Sequence, residues 1–215
     1  MPHISCVELP DFPGAELELI RQAFRDATPC SLGQAWLAAA EPDFRPTIVR
    51  AGWRGESLLV FAELTDEDIF SRATALNQRT WEMGDAFEVF LRPVEQTAYV
   101  EFHVTPNNQR LQLRIPSEPA FRAAQKSGLI EPFLIPGNAI RSWTWVLPGQ
   151  WCVLVEVGHV VVCEKLRPLP GSEWLFSFCR YDYTRGRPEP VISSSSPHQI
   201  ADFHRQQEWG RLTFR

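Results

Sequence analysis

Most of the chain alternates between hydrophobic and polar residues in short runs separated by Pro, Gly, Asn and Asp. A period of two is typical of strands with one face in the core and one face turned outward. From residue 34 onward it predicts eight strands, with turns at Arg54–Glu56 and Thr105–Asn108. The predicted strands are Thr47–Trp53, Ser57–Leu64, Asp85–Leu91, Ala98–Thr105, Arg110–Ile115, Trp151–Val157, Trp174–Tyr183 and Arg211–Phe214.

Three segments follow a helical pattern instead. Apolar residues recur at helical spacing within Ala15–Ala27, and Pro29 ends that pattern. Weaker helical patterns cover Asp66–Asn77 and Glu118–Ser127. The sequence therefore predicts one amphipathic helix ahead of the strands and short helices in the loops between them.

Together these elements predict an all-β fold. We expect an antiparallel two-sheet β-sandwich with jelly-roll-like, immunoglobulin-like layers, because eight strands suit two packed sheets. Hydrophobic residues make up 44% of the chain and aromatic residues 12%, enough to form such a core. Residues 1–33 are predicted to form an N-terminal extension with the helix, and residues 34–215 the sandwich domain.

Charge and cysteine content exclude several classes of protein. The net charge is -5 and the 21 basic residues are scattered, so we expect no nucleic-acid partner. The five Cys residues form an odd set without a CxxC motif, which favours buried thiols and leaves one bridge open. No run of 18 apolar residues predicts a membrane span. We expect a cytoplasmic protein from the sequence as it stands, or a secreted or periplasmic one if a signal peptide precedes it.

A row of polar residues lies on the two middle strands. Period-two geometry places Glu101, His103 and Thr105 on one face of their strand, and a hairpin would add Glu88 to that row. Such groups bind sugar hydroxyls, and Trp81 in the preceding loop offers an aromatic plane for the apolar face of a sugar. Periodicity alone equally allows a solvated edge hairpin with Trp81 packed on the core.

The order of segments along the chain resembles the family 9 carbohydrate-binding modules and the related DOMON-like domains. The resemblance covers most of Trp36–Phe214, and no single motif in it is very specific. The segments that carry it are Trp36, Val49–Trp53, Leu58–Asp66, Trp81, Gly84–Leu91, Tyr99–Pro106, Trp174–Arg180, Phe203–His204 and Trp209–Phe214.

This resemblance implies a sandwich that binds the end of a mono- or oligosaccharide between two Trp rings and acts in carbohydrate catabolism. Trp81 corresponds to the first Trp, and Glu88 to the carboxylate that follows it, although the intervening segment is one residue longer here. The resemblance implies further polar contacts from Glu101, His103, Thr105 and Arg180. The expected ligand is therefore a small sugar or a polysaccharide, and the resemblance names no protein partner.

One part of the chain departs from the family pattern. The second Trp of the sugar clamp should lie near Val191–Pro197, and that segment offers only Ser in its place. A one-sided platform would lose about 1 to 3 kcal/mol of ring contact. Sugar affinity would then be weak or the ligand different, unless Tyr181, Tyr183 or Phe203 supplies the other wall.

Metal sites have less support in the sequence. Some family members hold a structural calcium ion, and the oxygen-rich loop Asp66-Glu67-Asp68 after a strand offers Asp66 and Asp68 as candidate ligands. Calcium takes six to eight oxygen ligands, so an ordinary turn explains these acids equally well. The five His residues lack zinc-site spacing, and no other cofactor is predicted.

Three other functions remain open. The chain could be a degenerate sandwich that serves as a structural or interaction domain, since the second Trp is missing. Glu88 and Glu101 could act as the carboxylate pair of a glycoside hydrolase, although no catalytic signature supports this and we assign no catalytic residue. Haem binding between Met83 and His103 is the third alternative.

Overall fold

The computed structural model of the protein describes residues 1–163 and 170–215. Strands dominate it, and the helices are short. The strands are β1 (His3–Glu8), β2 (Pro29–Ser31), β3 (Thr47–Arg54), β4 (Ser57–Thr65), β5 (Ala86–Pro93), β6 (Tyr99–Val104), β7 (Arg110–Ile115), β8 (Arg141–Leu147), β9 (Gln150–Gly158), β10 (Glu173–Asp182), β11 (Val191–Ser194) and β12 (Gly210–Phe214).

Helical segments lie between or beside the strands. The α-helices are α1 (Leu17–Ala23), α2 (Glu118–Gln125) and α3 (His159–Val162). Single 3-10 turns occur at Thr80–Glu82, Glu131–Phe133 and Gln206–Glu208. No helix within residues 1–163 and 170–215 is long and apolar enough to cross a membrane.

The strands form one continuous, curled sheet in the order β7-β6-β5-β10-β12-β1-β3-β4-β9-β8. The prediction of a mostly β fold is confirmed, but the prediction of purely antiparallel pairing is wrong. β1 is parallel to both of its neighbours: His3–Cys6 pair with β12, and Val7 and Glu8 pair with β3. One strand of the predicted N-terminal extension therefore links the two halves of the sheet, a non-local pairing that periodicity cannot reveal.

Curling brings the two halves of the sheet face to face around the main core. Side chains of β5, β6 and β10, such as Phe102 and Phe178, pack against those of β4 and β9, such as Val60. The outer faces are also covered. Ile20 and Phe24 of α1 cover the outer face of β4 and β9, and a separate apolar cluster covers the outer face of β5, β6 and β7.

All eight predicted strands are confirmed to within two residues at either end. The predicted helix in Ala15–Ala27 is present as the shorter α1, and that in Glu118–Ser127 is present as α2. Within α2, the Ser117 hydroxyl accepts a hydrogen bond from the Ala120 backbone, which caps the helix. The strands that the sequence interpretation missed are β1, β2, β8 and β11.

The helix predicted over Asp66–Asn77 is wrong, because this segment forms turns and bends. Several of its backbone N–H groups donate to side chains, and others donate to carbonyls of distant segments, instead of to backbone carbonyls four residues earlier. Asp68 N donates to Asp66 Oδ1 at 2.8 Å, and Thr74 N donates to Gln78 Oε1 at 2.7 Å. Short polar side chains compete with a helix in this way.

All five Cys residues are buried free thiols. Burial raises the pKa of the Cys30 and Cys152 thiols to about 11 and raises that of Cys6 and Cys179 as well. The thiolate is the reactive form, so we expect the native protein to react with a thiol reagent such as Ellman's reagent far more slowly than a free cysteine. In guanidinium chloride all five thiols should react quickly, and a fast-reacting native thiol would contradict the burial.

Candidate functional site

A cavity of about 560 Å³ opens on the outer face of β5, β6 and β10. This volume lies in the range of small-molecule sites. Its floor is sheet, and three segments outside the sheet line its walls. These are residues 79–82 with the 3-10 turn, residues 121–130 with the end of α2, and the loop residues 201–204.

Strand register sets the polar part of the floor. Glu88 on β5 pairs directly opposite His103 on β6, and Glu101 lies two residues before His103 on the same face. The alternate residues of β6, Val100 and Phe102, point into the main core. The predicted row of Glu88, Glu101 and His103 is therefore present, and it is buried rather than a solvated edge.

The three polar residues contact one another at the floor. His103 Nε2 lies 2.7 Å from Glu101 Oε1 and 3.2 Å from Glu88 Oε1. His103 Nδ1 lies 2.9 Å from the Thr80 hydroxyl, which fixes the orientation of the ring. His204 extends the cluster, since its Nε2 lies 3.8 Å from Glu101 Oε2.

Burial and mutual contact shift the pKa values of this cluster. Burial raises the pKa of Glu88 to about 8, and the negative charge of Glu101 adds to the effect. Burial alone would raise the pKa of Glu101, but His204 and His103 hold it below its usual value. Burial lowers the pKa of His103, but Glu88 and Glu101 raise it by more, so the net shift is upward. Glu101 is therefore the more acidic carboxyl of the pair, and the two Glu side chains favour the charged form of His103.

Aromatic rings lie on two sides of this floor. Trp81 is half-buried, and its ring centre is 5.6 Å from that of His103 in an edge-to-face arrangement. Tyr181 and Phe203 line the same cavity, with ring centres 5.9 Å apart. Tyr183 lies outside it and donates its hydroxyl to the Trp81 carbonyl at 2.6 Å.

Two residues that the resemblance implied as polar contacts lie elsewhere. Thr105 closes the β6–β7 turn: its hydroxyl lies 2.6 Å from Asn107 Oδ1 and accepts from Gln109 N at 3.0 Å. Arg180 points to the core side of β10, where it contacts Asp66 at 3.1 Å and Asp182 at 3.0 Å. Neither residue lines the cavity, so we leave both out of the candidate site.

The serine run at 193–196 turns away from the cavity and closes a gap at the edge of β10. β12 pairs with Glu173–Phe176 of β10, whereas β11 pairs with Cys179–Asp182 on the same edge. Between these stretches, Phe178 N donates to the Ser195 hydroxyl at 2.9 Å, and Ser195 N donates to the Phe178 carbonyl. Within Val191–Pro197, the segment where the second Trp was expected, Ile192 alone lines the cavity.

The oxygens of Asp66 and Asp68 are already engaged by hydrogen-bond donors. Asp66 Oδ1 accepts from Asp68 N and Oδ2 from Arg180, while Asp68 pairs with Arg185. Asp85 and Asp182 approach Asp66, but both oxygens of Asp85 accept backbone N–H groups and Asp182 contacts Arg180. The Arg180 guanidinium supplies the positive charge there, so these residues do not fit the six to eight oxygen ligands of calcium.

Several cavity residues were not singled out from the sequence. Phe121 stacks on His204 with ring centres 3.5 Å apart. The Tyr99 hydroxyl lies 2.8 Å from His204 Nδ1. Arg122 of α2 binds Asp202 at 2.6 Å and so ties two walls together. The sequence interpretation did not place His204 in the cavity, which its side chain lines.

Comparison with known proteins gives a fold but no close relative. No protein-family model matches the sequence, and no curated protein matches it. Solved structures do match over almost the whole chain. A protein from Bacteroides uniformis ATCC 8492, described as a candidate carbohydrate-binding protein, has a TM-score of 0.73 at 14% identity, with 99% of both chains covered.

Two further matches are structures of a family 9 carbohydrate-binding module from Caldicellulosiruptor kristjanssonii. The complex with cellotriose has a TM-score of 0.68 at 14% identity and covers 100% of this chain and 94% of that one. The complex with glucose has a TM-score of 0.66 at 13% identity, with 100% and 96% covered. The fold is that of a family 9 carbohydrate-binding module. At this identity the family 9 likeness extends to the fold alone.

Proposed function

We propose that the protein binds a sugar, at the end of a mono- or oligosaccharide, in the cavity on the outer face of β5 and β6. One observation carries this proposal: the cavity of about 560 Å³ combines the half-buried Trp81 ring with the polar floor of Glu88, Glu101 and His103. The family 9 fold supports it, since two structures with that fold hold cellotriose and glucose.

The chemistry of the lining suits a neutral sugar. A pyranose has an apolar face that stacks on an aromatic ring and hydroxyls that both donate and accept hydrogen bonds. Trp81 offers the ring, and Glu88 and Glu101 offer carboxyl groups next to it. Walls from three segments favour the end of a chain over its middle. A role in carbohydrate catabolism would follow from such binding and belongs to the same proposal.

The missing second Trp has candidate replacements in the same cavity. Tyr181 and Phe203 form an edge-to-face pair, and Trp36 supports Phe203 at 6.2 Å between ring centres. We propose that Phe203 provides the second apolar wall, with Ile192 beside it. Phe203 is buried, so this wall offers less stacking area than an exposed indole would.

Glycoside hydrolysis is less well supported by the geometry. Retaining hydrolases place their two carboxylates about 5 to 5.5 Å apart on either side of the scissile bond. Glu88 and Glu101 are close enough, with oxygen atoms within 4.8 Å, but each contacts His103 Nε2. The imidazole thus lies where the sugar bond would have to pass. Met83 does not line the cavity that holds His103, which gives no support to haem binding.

Calorimetric titration with glucose, cellobiose, cellotriose and a panel of other neutral sugars tests the proposal. We expect saturable binding of at least one sugar to the wild-type protein. Trp81→Ala should lower its affinity by about 5- to 150-fold, because one stacked ring contributes about 1 to 3 kcal/mol.

Trp145→Ala is the matched control. Trp145 is also partly buried but lies on β8, packed against the cluster that includes α1, so its loss should leave sugar affinity unchanged. Far-ultraviolet circular dichroism shows whether each variant is folded. No binding across the panel, or equal affinity of the wild type and Trp81→Ala, would reject the proposal and favour a structural or interaction domain.

A further inference from the structure

Three potential metal ligands converge at the floor of the cavity, and a fourth lies beside them. Glu88, Glu101 and His103 each offer a ligand atom, and these atoms lie within 4.8 Å of one another. His204 Nε2 lies on the loop wall, 3.8 Å from Glu101 Oε2. One imidazole and two carboxylates from β5 and β6 therefore form the group, and a second imidazole borders it.

Distances between neighbouring ligand atoms suit a small divalent ion. A tetrahedral zinc ion with bonds of about 2.0 to 2.1 Å places its ligand atoms about 3.3 Å from one another. The observed separations of 2.7 Å, 3.2 Å and 3.8 Å between adjacent pairs lie on both sides of that value. Small shifts of Glu88, Glu101 and His103 would admit the ion, and His204 would have to move towards them to complete a tetrahedral site.

The two imidazoles are oriented as metal ligands usually are. His103 Nδ1 is held by the Thr80 hydroxyl at 2.9 Å, and His204 Nδ1 by the Tyr99 hydroxyl at 2.8 Å. Each ring thus has Nδ1 fixed by a hydroxyl and Nε2 directed at the carboxylates. In metal sites the second ring nitrogen is held in this way, which fixes the tautomer and the ring plane.

One carboxylate oxygen lacks the partner that burial demands. Glu101 is about 95% buried, yet its Oε2 has no hydrogen-bond partner among the residues that the structure describes. A buried, charged oxygen without a partner costs several kcal/mol, so such atoms usually bind an ion or a ligand. This oxygen lies 3.8 Å from His204 Nε2, and a cation bound beside it would satisfy it.

We propose that Glu88, Glu101 and His103 bind one divalent transition-metal ion of the zinc class at the floor of the cavity, with His204 moving in from the loop wall as the fourth ligand. Nitrogen ligands beside carboxylates favour zinc and its neighbours over calcium or magnesium, which prefer oxygen ligands alone. Two carboxylates also balance the charge of a divalent ion. The site uses two His residues 101 positions apart in the sequence, so local His spacing could not reveal it.

A metal titration of the chelator-treated, dialysed wild-type protein tests this proposal without any sugar present. We expect one equivalent of Zn²⁺ to bind, with a higher melting temperature in the loaded protein because the ion binds only the folded state. Co²⁺ should bind in place of zinc and give the visible absorption of a low-coordinate nitrogen–oxygen site. This absorption reports on the wild-type protein and does not depend on any variant.

His204→Gln and Glu101→Gln should each weaken Zn²⁺ binding by at least about 10- to 100-fold. His3→Gln is the control, since His3 is exposed on β1 and contacts Thr213 instead of the cavity. Absence of stoichiometric Zn²⁺ and Co²⁺ binding by the wild type would overturn the proposal. So would equal Zn²⁺ affinity in the wild type and a folded His204→Gln variant, or loss of binding in His3→Gln alone.

The metal site and the sugar site can fail separately. The proposal rests on ligand geometry and not on sugar binding, so the expected Zn²⁺ stoichiometry is the same whether or not any sugar of the panel binds. Repeating the sugar panel on the apo and the zinc-loaded protein shows whether the ion supports or blocks the sugar. Trp81→Ala should leave Zn²⁺ stoichiometry at one, because its ring offers no ligand atom.

Discussion

A chain restricted to residues 34–215 is expected not to fold cooperatively, although it contains all eight strands predicted from the sequence. β1 would be lost, and with it the strand between β12 and β3 that joins the two halves of the sheet. Helix α1 would be lost as well, which uncovers the outer face of β4 and β9.

The expected loss of stability is comparable to the whole stability of a domain. Five large buried apolar side chains are removed, each contributing about 1.5 to 3 kcal/mol, or on the order of 10 kcal/mol together. Domains are stable by about 5 to 15 kcal/mol in total. The side chains concerned are Ile4, Leu9, Ile20, Phe24 and Leu32.

Urea unfolding followed by circular dichroism and tryptophan fluorescence measures this effect. The full chain should show one cooperative transition, and residues 34–215 none. Removal of Met1 alone is the control, since this residue is 74% exposed and its loss should not change the midpoint. A cooperative transition with native-like fluorescence in residues 34–215 would contradict the prediction and make residues 1–33 a separable extension.

Arg180→Met is expected to destabilise the protein by about 3 to 5 kcal/mol at pH 7. The guanidinium is only 1% exposed and lies between the carboxylates of Asp66 and Asp182, with a further hydrogen bond to the Thr65 carbonyl at 2.8 Å. Removing one partner of a buried ion pair leaves the other charges without compensation. Arg185→Met is the matched control, because Arg185 forms an exposed pair with Asp68 that should contribute less than about 1 kcal/mol.

The loss of stability caused by Arg180→Met should be smaller at acidic pH than at pH 7. Burial raises the pKa of Asp66, and it raises the pKa of Asp182 to about 6 even beside Arg180. Loss of the guanidinium raises both further. A carboxyl whose folded-state pKa exceeds its unfolded-state value destabilises the fold as pH rises from about 4 through that folded-state pKa. Urea unfolding of both variants at pH 5 and pH 7 measures this. Equal stability of Arg180→Met and Arg185→Met at pH 7 would contradict the role of Arg180.

Local sequence patterns predicted where the strands lie better than which strands pair with one another. Period-two alternation located the strands of the central hairpins because both hairpin partners lie close in the sequence. It missed β1, whose six residues pair in parallel with strands far along the chain. The false helix at Asp66–Asn77 arose because side chains such as Gln78 bind the backbone N–H groups, which a periodicity argument does not consider.

The candidate site was predictable only where one hairpin builds it. Glu88, Glu101 and His103 follow from strand parity and register. The same argument would have excluded Arg180. It lies at every second position of β10 together with Phe176 and Phe178, so its side chain faces the core with theirs. The walls could not be predicted from the sequence, because residues 121–130 and 201–204 contact the floor only through long-range packing.

The divided edge of β10 also determines how the cavity is held. β11 and β12 lie end to end along that edge, and the loop between them carries Phe203 and His204. Both ends of this loop are thus anchored on the strand that contributes Tyr181 to the floor. If the distant half of the sheet bends, the loop and the cavity floor should move together. The distance between the loop and the floor should therefore change little.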